Sequence, residues 1–402
     1  MRVTTKYLAP TFIAIAALTL VGCAPTTPAV EVSGSSQSAA PVQVGMVTSV
    51  TGPLAAYGAE YKAGFEAGLS YSTGGTGAVN GRSINVTWKD DQGVAATAVS
   101  DAKDLIGQGY NILGGTVDSG IAIGLAQQAR QNKVLYLSGP AAADAITGAN
   151  KYTFRSGRQS YQDVATAGTF IGSPSGKKVV VFAQDGAFGQ GNLAAVKNVL
   201  GTKGAVVSSV LVPASTTEFT PFAQQLLDAK PDLIFVAWAG ATTAAMWQAL
   251  EQQNVFAAAP IVTGLATTAT YNAYGPVSDK IDFLSHYFPG ATSNPAEKAM
   301  DAALKKAGAT PDLFSPDGFV AAQMVVQAVK KGGGTDVNKM ITSLENWSFD
   351  SVKGTITVRA GDHAMIQPMF QAKLVKNSTG SWLPKLVKAV SATSVAPPLA
   401  SK

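Results

Sequence analysis

Short apolar runs alternate with longer amphipathic segments along most of the chain. Residues 42–47 form an apolar run bounded by a proline and a Thr-Gly-Pro turn, which predicts a buried strand. Small and aromatic residues recur at helical spacing over residues 59–72. Ile84, Val86 and Trp88 then alternate with polar residues, as they do in a strand. The pattern therefore predicts a strand, a helix and a second strand.

The alternation continues through two successive rounds. Further helices are predicted at residues 94–108, 121–132, 161–171, 189–203, 219–228 and 243–253. Further strands are predicted at residues 112–113, 134–137, 178–183, 206–212, 233–237 and 260–263. Alternating elements favour parallel sheets with helices on both faces, and the apolar run at residues 179–182 fits a strand buried on both sides. Two rounds predict two similar α/β lobes.

The C-terminal part has a different pattern. Three helices are predicted at residues 295–307, 316–331 and 336–344. Three antiparallel strands are predicted at residues 355–358, 369–375 and 382–387. Periodicity alone assigns none of these late elements to a lobe.

The N-terminal segment has the pattern of a bacterial export signal. Arg2 and Lys6 precede fourteen uncharged residues at positions 8–21, fewer than the about 20 apolar residues of a membrane-spanning helix. The only cysteine, Cys23, closes the run Leu-Val-Gly-Cys, which resembles the lipobox where the peptide is cut and the sulfur takes a diacylglyceryl group. We expect a lipoprotein signal peptide at residues 1–22 and a lipidated Cys23, with a buried thiol as the alternative.

Residues 23–40 predict a flexible tether, because they are mostly Pro, Thr, Ser, Ala and Gly with the single charge of Glu31. The protein is therefore expected to be exported and anchored by lipid to the outer face of the bacterial cell membrane, or to its periplasmic side. No second cysteine remains for an internal disulfide.

The composition narrows the classes of protein further. A hydrophobic content of 46% in 402 residues excludes a disordered chain, and the length predicts two domains. The net charge is +5, but without Arg2 and Lys6 the basic residues nearly balance the 25 acidic ones. Because no basic cluster occurs, nucleic acid is not expected as a partner.

The residue sets that catalysis needs are missing from the sequence. His286 and His363 lie in no metal-binding spacing, and no GxSxG or GxxxxGK[ST] motif occurs. Residues 189–194 fit a relaxed GxGxxA, but no acid follows the next strand to hold a ribose, so a tight turn is favoured. For the acidic pair Asp90 and Asp91 we predict capping and solvation, because two carboxylates alone make a poor calcium site. We expect no cofactor, no metal and no enzyme activity.

Loops that follow the predicted strands carry the candidate binding residues. In open α/β sheets, ligands bind beyond the carboxyl ends of the strands. Small, hydroxyl and aromatic residues fill such loops at residues 51–58, 114–120, 138–143, 185–189 and 238–241. Glycine lets a ligand come close, and N–H groups at a helix start favour an anion such as a carboxylate. These loops predict a cleft with polar contacts in one lobe and hydrophobic contacts in the other.

Eight short sequence runs, taken together in their order and spacing, carry a resemblance to known proteins. They are Val44-Gly45, Thr51-Gly52-Pro53, Tyr57-Gly58, Lys89-Asp90-Asp91, Phe188-Gly189-Gln190-Gly191, Glu218-Phe219-Thr220, Pro231-Asp232-Leu233-Ile234 and Pro316-Asp317-Gly318-Phe319. In these runs the chain resembles the extracytoplasmic solute-binding proteins of ABC importers with the type I periplasmic-binding fold. Within them it is similar to the leucine/isoleucine/valine-binding group. The resemblance extends over residues 42–387.

The resemblance implies an α/β fold of two Rossmann-like lobes, with parallel sheets joined by three hinge crossovers. Lobe one would comprise residues 41–155 and 287–344. Lobe two would comprise residues 156–286 and 345–390, and residues 391–402 would form a C-terminal tail. A ligand would bind between the lobes, and hinge closure would let the protein dock to a permease.

The resemblance also implies a set of ligand contacts. Those in lobe one are Tyr57, which would cover the ligand, and Asp118, Ser119, Pro140, Ala141 and Ala142, which would hold a carboxylate and an ammonium. Those in lobe two are Phe188, Trp238 and Gly240. Each residue also has an ordinary packing or capping interpretation.

Two positions depart from the amino acid binders. Ala142 stands where they have a threonine hydroxyl, and Leu265 stands where they have the glutamate that pairs with the ligand's ammonium. Without that glutamate a buried ammonium loses its charge partner, which costs several kcal/mol. Either Asp118 substitutes for it, or the ligand lacks an amine and Arg158 pairs with a carboxylate.

Two functional classes follow from the resemblance. The first is a transport protein that binds a small solute, an amino acid or a related organic acid or amide, and works with the permease and ATPase subunits of an importer. The second is a sensory or regulatory lipoprotein of the same fold that passes its signal to a membrane receptor.

Overall fold

The computed structural model describes residues 40–400, and for Gly275 and Pro276 it describes the backbone alone. The predicted signal peptide, Cys23 and nearly all of the predicted tether lie outside these residues. Among the helices of residues 40–400, none is both long enough and apolar enough to cross a membrane.

The described strands form three sheets. The strands are β1 (Val42–Thr48), β2 (Ala78–Val79), β3 (Arg82–Asp90), β4 (Ile112–Gly115), β5 (Leu135–Ser138), β6 (Thr153–Arg155), β7 (Lys178–Gln184), β8 (Val206–Val212), β9 (Leu233–Ala237), β10 (Ile261–Gly264), β11 (Ile281–Ser285), β12 (Ser348–Ser351), β13 (Gly354–Val358), β14 (Met365–Ile366), β15 (Met369–Lys376) and β16 (Trp382–Val390). Their orders are β2-β3-β1-β4-β5-β6, β16-β15-β11-β10-β9-β7-β8 and β12-β13-β14.

Helices connect and cover these strands. The α-helices are α1 (Ala55–Ser72), α2 (Ala95–Gly107), α3 (Ser119–Asn132), α4 (Ser160–Ile171), α5 (Ala187–Val199), α6 (Thr220–Asp228), α7 (Thr243–Gln252), α8 (Val255–Ala258), α9 (Pro295–Lys306), α10 (Ser315–Gly332) and α11 (Val337–Leu344). Short 3-10 segments lie at Asp144–Ile146 and Gly201–Lys203, and a longer one at Thr268–Lys280.

The first sheet is parallel except at its edge strand β2. Val44 of β1 lies opposite Val86 and Ile112, so β1 pairs on both sides. One face packs against α1 and α10, and the other against α2 and α3. Burial on both faces explains why β1 is a continuous apolar run and shows no alternation.

The second sheet is parallel from β11 to β8 and antiparallel at β15 and β16. Helices α6 and α7 cover one face, and α4 and α5 cover the other. The two α/β lobes predicted from the alternating pattern are confirmed. Strand β15 pairs with β11 of the second sheet and β16 pairs with β15, which places both strands in lobe two.

The assignment of all residues after 344 to lobe two is wrong for β12, β13 and β14. Ile356, Val358 and Met365 are buried in the same apolar cluster as Val42 and Val44 of β1. These strands therefore belong to the core of lobe one. Side chains that complete a core can come from any point in the chain, and the periodicity of a short strand does not record which core it completes.

Close glycine contacts fix α1 against α10. A Cβ atom at Gly64 would lie 1.9 Å from the Ser315 carbonyl oxygen, and one at Gly318 would lie 1.9 Å from the Tyr61 carbonyl oxygen. Any side chain at these positions would push the two helices apart. The contact matters for the cleft because α1 carries Tyr57 near its start and α10 begins directly after Phe314.

The described part of the C-terminal tail packs on the protein. Arg359 donates hydrogen bonds to the carbonyl oxygens of Pro397 (2.7 Å) and Pro398 (3.1 Å). Val395 is buried, and the Ala400 N–H donates to Asp362 at 3.0 Å. Residues 391–400 are thus part of the folded body.

Candidate ligand-binding cleft

The loop after β1 is fixed by an acidic pair at the end of β3. Asp90 accepts hydrogen bonds from the backbone N–H (3.1 Å) and the hydroxyl (2.7 Å) of Thr51. Asp91 is fully buried and accepts from the hydroxyls of Ser49 (2.6 Å) and Thr116. The prediction that Asp91 is solvated is therefore wrong. Its two carboxylate oxygens are buried and join the loop after β1 to the loop after β4. The pair positions the loop that leads into α1.

The loop after β4 ends in a capped helix start. Asp118 precedes α3, and its Oδ1 accepts a hydrogen bond from the Ile121 N–H at 2.9 Å. The hydroxyl oxygen of Ser119 accepts from the Ala143 N–H at 3.2 Å. That bond ties the start of α3 to the loop after β5, so the two loops form one wall.

Both walls of a cavity of about 450 Å³ come from the carboxyl ends of strands. The loops after β1, β4 and β5 line it from the first lobe, and the loops after β7, β9 and β10 line it from the second. The volume lies within the range of small-molecule sites in proteins. Because parallel strands end at the same edge of a sheet, loops far apart in sequence meet at this cleft.

Arg158 is the cation on the cavity wall, on the first crossover between the lobes. Its Nη1 donates to the Pro140 carbonyl oxygen at 2.8 Å, and its Nε lies 3.3 Å from Asp163 Oδ2. The guanidinium carbon lies 5.7 Å from the centre of the Phe314 ring. Burial raises the pKa of Asp163 to about 6, although Arg158 opposes that shift. The three contacts hold the guanidinium in one orientation.

A second arginine supports this wall from behind. Arg155 is 1% exposed and donates to the carbonyl oxygens of Ala141 (2.6 Å), Ala143 (3.0 Å) and Arg158 (2.6 Å). Burial lowers its pKa to about 10, which leaves it protonated at neutral pH. Arg155 thereby fixes the loop after β5 and the backbone of Arg158 together.

Tyr57 reaches across the cleft. Its ring packs on Phe314 with 4.9 Å between ring centres, and its hydroxyl faces the backbone N–H of Gly240 in the second lobe. Burial and the charge of Glu60 raise the pKa of Tyr57 to about 12. Gly240 has a φ of +85°, and a Cβ atom there would lie 3.6 Å from the Pro53 carbonyl oxygen. The 3.6 Å contact would be an ordinary one, so it is the positive φ that favours glycine here.

A carboxylate also bridges the lobes. Asp312 precedes α10 in lobe one, and its two oxygens accept from the Thr268 N–H of lobe two at 2.9 and 3.2 Å. With the contact between Tyr57 and Gly240, this bond joins the lobes beside the cavity. The described conformation is therefore a closed cleft.

The wall from lobe two is mostly apolar. Phe188 lies in the first turn of α5, and the Trp238 ring packs against Phe182 (5.2 Å between ring centres) and Phe219 (5.4 Å). The Trp238 Nε1 donates to the Thr242 hydroxyl at 3.1 Å. Leu265 is 2% exposed and reaches the cavity from the loop after β10. This wall suits the apolar part of a ligand.

Ten of the eleven residues proposed as ligand contacts line this cavity. They are Tyr57, Asp118, Ser119, Pro140, Ala142, Arg158, Phe188, Trp238, Gly240 and Leu265. Their direct contact with a ligand stays a prediction. Ala141 does not line the cavity, because its side chain packs in a cluster with Ala122, Ala143 and Ile146.

Several lining residues lie at positions that the sequence pattern does not mark. Asp163 falls inside the predicted helix at residues 161–171, and Leu313 and Phe314 lie over 150 residues from Arg158 in the chain. The only signal near them is the Pro-Asp-Gly-Phe run that opens α10. Nothing in the periodicity of the chain brings that helix start to the cleft.

The cleft has the chemistry of a binding site. Among residues 40–400, no group of three or more His, Cys, Asp or Glu side chains is arranged to hold a metal ion. The cavity instead offers a fixed guanidinium, two helix starts and aromatic walls. Two lobes that close on a cavity of this kind define a solute-binding protein.

Comparison with known proteins gives the family. The model of the periplasmic binding protein family matches residues 41–380, and the chain belongs to that family. The Leu/Ile/Val-binding protein homolog 3 of Brucella melitensis is 24% identical, over 80% of this chain and 88% of the relative. These relatives are binding proteins and not enzymes, which confirms the prediction of a non-catalytic protein. Membership also implies export to the periplasmic side of the membrane.

Solved structures share the fold. An ABC-type branched-chain amino acid transporter protein of Rhodopseudomonas palustris is 31% identical, with a TM-score of 0.74 over 90% of this chain and all of the other. A solute-binding protein of an ABC transporter from another strain of that species, in complex with p-hydroxybenzoic acid, has a TM-score of 0.80 at 22% identity, over 88% and 97%. The type I periplasmic-binding fold expected from the sequence is confirmed.

Proposed function

We propose that the protein is the substrate-binding lipoprotein of an ABC importer. It captures a small organic solute, an amino acid or a related acid or amide, between its lobes and delivers it to a membrane permease. The observation that carries the proposal is the cavity built from the strand ends of both lobes, with Arg158 on its wall. A closed cleft buries most of a small ligand, as a carrier protein requires.

The relatives support this class of solute. Some relatives are named for leucine, isoleucine and valine, and one solved structure contains p-hydroxybenzoic acid. These four compounds share one chemical pattern, a carboxylate on an apolar body. In this chain, Ser119 and the start of α3 offer hydrogen-bond donors for the carboxylate, and Phe188 and Trp238 offer apolar walls.

A thermal-shift experiment tests solute binding. The purified mature protein would be heated with amino acids, amides, and aromatic and aliphatic acids, with sugars and polyamines as controls. A ligand at about 100 times its Kd adds about 2.7 kcal/mol of stability, which raises Tm measurably. A folded protein that responds to no acid, amide or amino acid would contradict the proposed solute class.

Lipid anchoring is tested at Cys23. We expect the mature N-terminus to be Cys23 with the mass of a diacylglyceryl group, and Cys23→Ser to leave the membrane fraction. Ser35→Ala, within the predicted tether, is the matched control and should stay membrane-bound. An unmodified Cys23, or a mature chain that begins elsewhere, would refute the anchor.

Delivery to a permease is tested by uptake. Deletion of the gene should abolish uptake of a labelled solute that the purified protein binds, and the wild-type gene should restore it. If the solute binds but uptake survives deletion, the sensory class replaces the transport class.

A further inference from the structure

We propose that the solute is an apolar monocarboxylate without an α-amino group, and that Arg158 pairs with its carboxylate. This inference rests on the proposed function and names the substrate class of the same cleft. It follows from the partners that the cavity offers to each charged group of a ligand.

Arg158 has a donor to spare. Its Nη1 is committed to Pro140 and its Nε faces Asp163, whereas its Nη2 makes no hydrogen bond to any of residues 40–400. Because the other two nitrogens and Phe314 fix the plane of the guanidinium, Nη2 is preorganised for an acceptor in the cavity. A carboxylate is one of the acceptors that a guanidinium binds most strongly.

An ammonium has no comparable partner in the cavity. Asp163 is already paired with Arg158, and Asp185 is exposed and accepts from the Gln190 side chain at 2.7 Å. Asp118 uses one oxygen to cap α3, and the partial positive charge of the helix start weakens its attraction for a cation. The buried Leu265 offers no polar atom at all on its side chain. A buried ammonium left unpaired is strongly disfavoured.

The carbonyl oxygens of this wall are also engaged. The Pro140 oxygen accepts from Arg158, and the oxygens of Ala141 and Ala143 accept from Arg155. An amine entering here would have to displace a guanidinium. The same two arginines make the wall favourable to an anion.

One uncapped helix start reinforces the preference for an anion. Helix α5 has 13 residues and no side-chain cap, and its first turn, at Phe188, lines the cavity. Unpaired N–H groups at a helix start favour negative charge. The remaining walls, from Tyr57, Trp238 and Leu265, suit an apolar body.

Calorimetry with matched ligand pairs tests the inference on the full mature protein. The pairs are 3-phenylpropanoate with phenylalanine, and 4-methylpentanoate with leucine, which differ only in the α-amino group. We expect the amine-free member of at least one pair to bind at least about tenfold more tightly than its partner. Equal or tighter binding of the amino acids would overturn the inference and leave the proposed function standing. If none of the four ligands binds, the inference is overturned and the result counts against the proposed solute class.

Substitution of Arg158 separates ligand recognition from a structural role. Arg158→Gln should weaken binding of 3-phenylpropanoate about 10- to 100-fold and change binding of 3-phenylpropanamide by less than about threefold. Arg130→Gln removes the same charge from an exposed position of α3 and should change neither affinity. An equal loss for acid and amide would make Arg158 a structural residue and overturn its assigned role. If Arg158→Gln does not fold, Arg158→Lys keeps the charge without the planar fork and should still lose affinity for the acid alone.

Discussion

Lys353 Nζ lies 2.9 Å from Asp317 Oδ1, and both side chains are completely buried. The other Asp317 oxygen lies 3.2 Å from His286 Nε2, on the second crossover between the lobes. Lys353 also reaches the Ser156 carbonyl oxygen on the first crossover at 3.5 Å. Burial alone would raise the pKa of Asp317, but His286 and Lys353 hold that pKa below its usual range. This cluster joins two hinge segments to the start of α10.

We predict that Lys353→Met destabilises the protein strongly, because it leaves the Asp317 charge buried with only a neutral histidine beside it. Burial lowers the pKa of His286 to about 4, so His286 carries no charge at neutral pH. Loss of one partner of a buried pair typically costs about 3–5 kcal/mol. Urea unfolding followed by circular dichroism measures the change.

A second lysine provides the control for this experiment. Lys373 pairs with Asp282 at 2.7 Å, but the two side chains are 35% and 28% exposed. Lys373→Met should therefore cost less than about 1 kcal/mol. Similar losses in the two variants would show that the buried pair has no special role.

The pH dependence of stability should contain a contribution from Glu60. Burial and the neighbouring Asp312 raise the pKa of Glu60 from 4.5 to about 9. Between these values the folded protein holds a proton that the unfolded chain has released, so stability falls as pH rises from 4.5 to 9. Glu60→Gln removes this dependence and keeps an acceptor for the Phe314 N–H.

Melting temperatures at pH 5, 7 and 9 test this prediction. The Tm of Glu60→Gln minus that of the wild type should increase with each step in pH. Glu66→Gln, at an exposed position of the same helix, should follow the wild type. A difference for Glu60→Gln that does not change with pH would refute the shifted pKa.

The bond between Asp312 and the Thr268 N–H should stabilise the closed cleft. We predict that Asp312→Ala speeds ligand dissociation about tenfold. The bond from the Thr268 N–H to the Asp312 carboxylate exists only when the lobes are closed, so its removal destabilises the closed state alone. Stopped-flow dissociation of a solute identified by thermal shift measures the rate. Asp104→Ala removes the same charge from an exposed site of α2 and should leave the rate unchanged. An unchanged rate in Asp312→Ala would mean that closure does not depend on this bond.

The contact between α1 and α10 predicts a further stability effect. Gly318→Ala would place a methyl group 1.9 Å from the Tyr61 carbonyl oxygen, and the helices must separate to accept it. We expect a loss of about 1–3 kcal/mol or more in the free energy of unfolding. Gly124→Ala, on α3, meets only the Val99 side chain at 3.6 Å and should be neutral or stabilising, by up to about 1 kcal/mol. If both variants had the same stability, close helix contact would not explain Gly318.

The sequence by itself determined the two-lobed α/β architecture and most of the cleft. Strand and helix patterns such as those of β1 and α3 are local properties of the chain, so periodicity reports them. Once the strands are known to be parallel, the loops after them must meet at one edge. This is why Tyr57, Asp118 and Trp238 could be brought to one cavity from sequence alone.

Only the tertiary structure decided how segments far apart in the chain complete the two lobes and the cleft. It placed β12, β13 and β14 in the core of lobe one, packed Ala141 in a cluster beside Ala122, and set Phe314 and Asp163 against Arg158. These relationships depend on packing and charge pairing between residues far apart in the chain, which leave no periodic signal. A local pattern fixes which face of an element is apolar, but only the folded chain decides what that face meets.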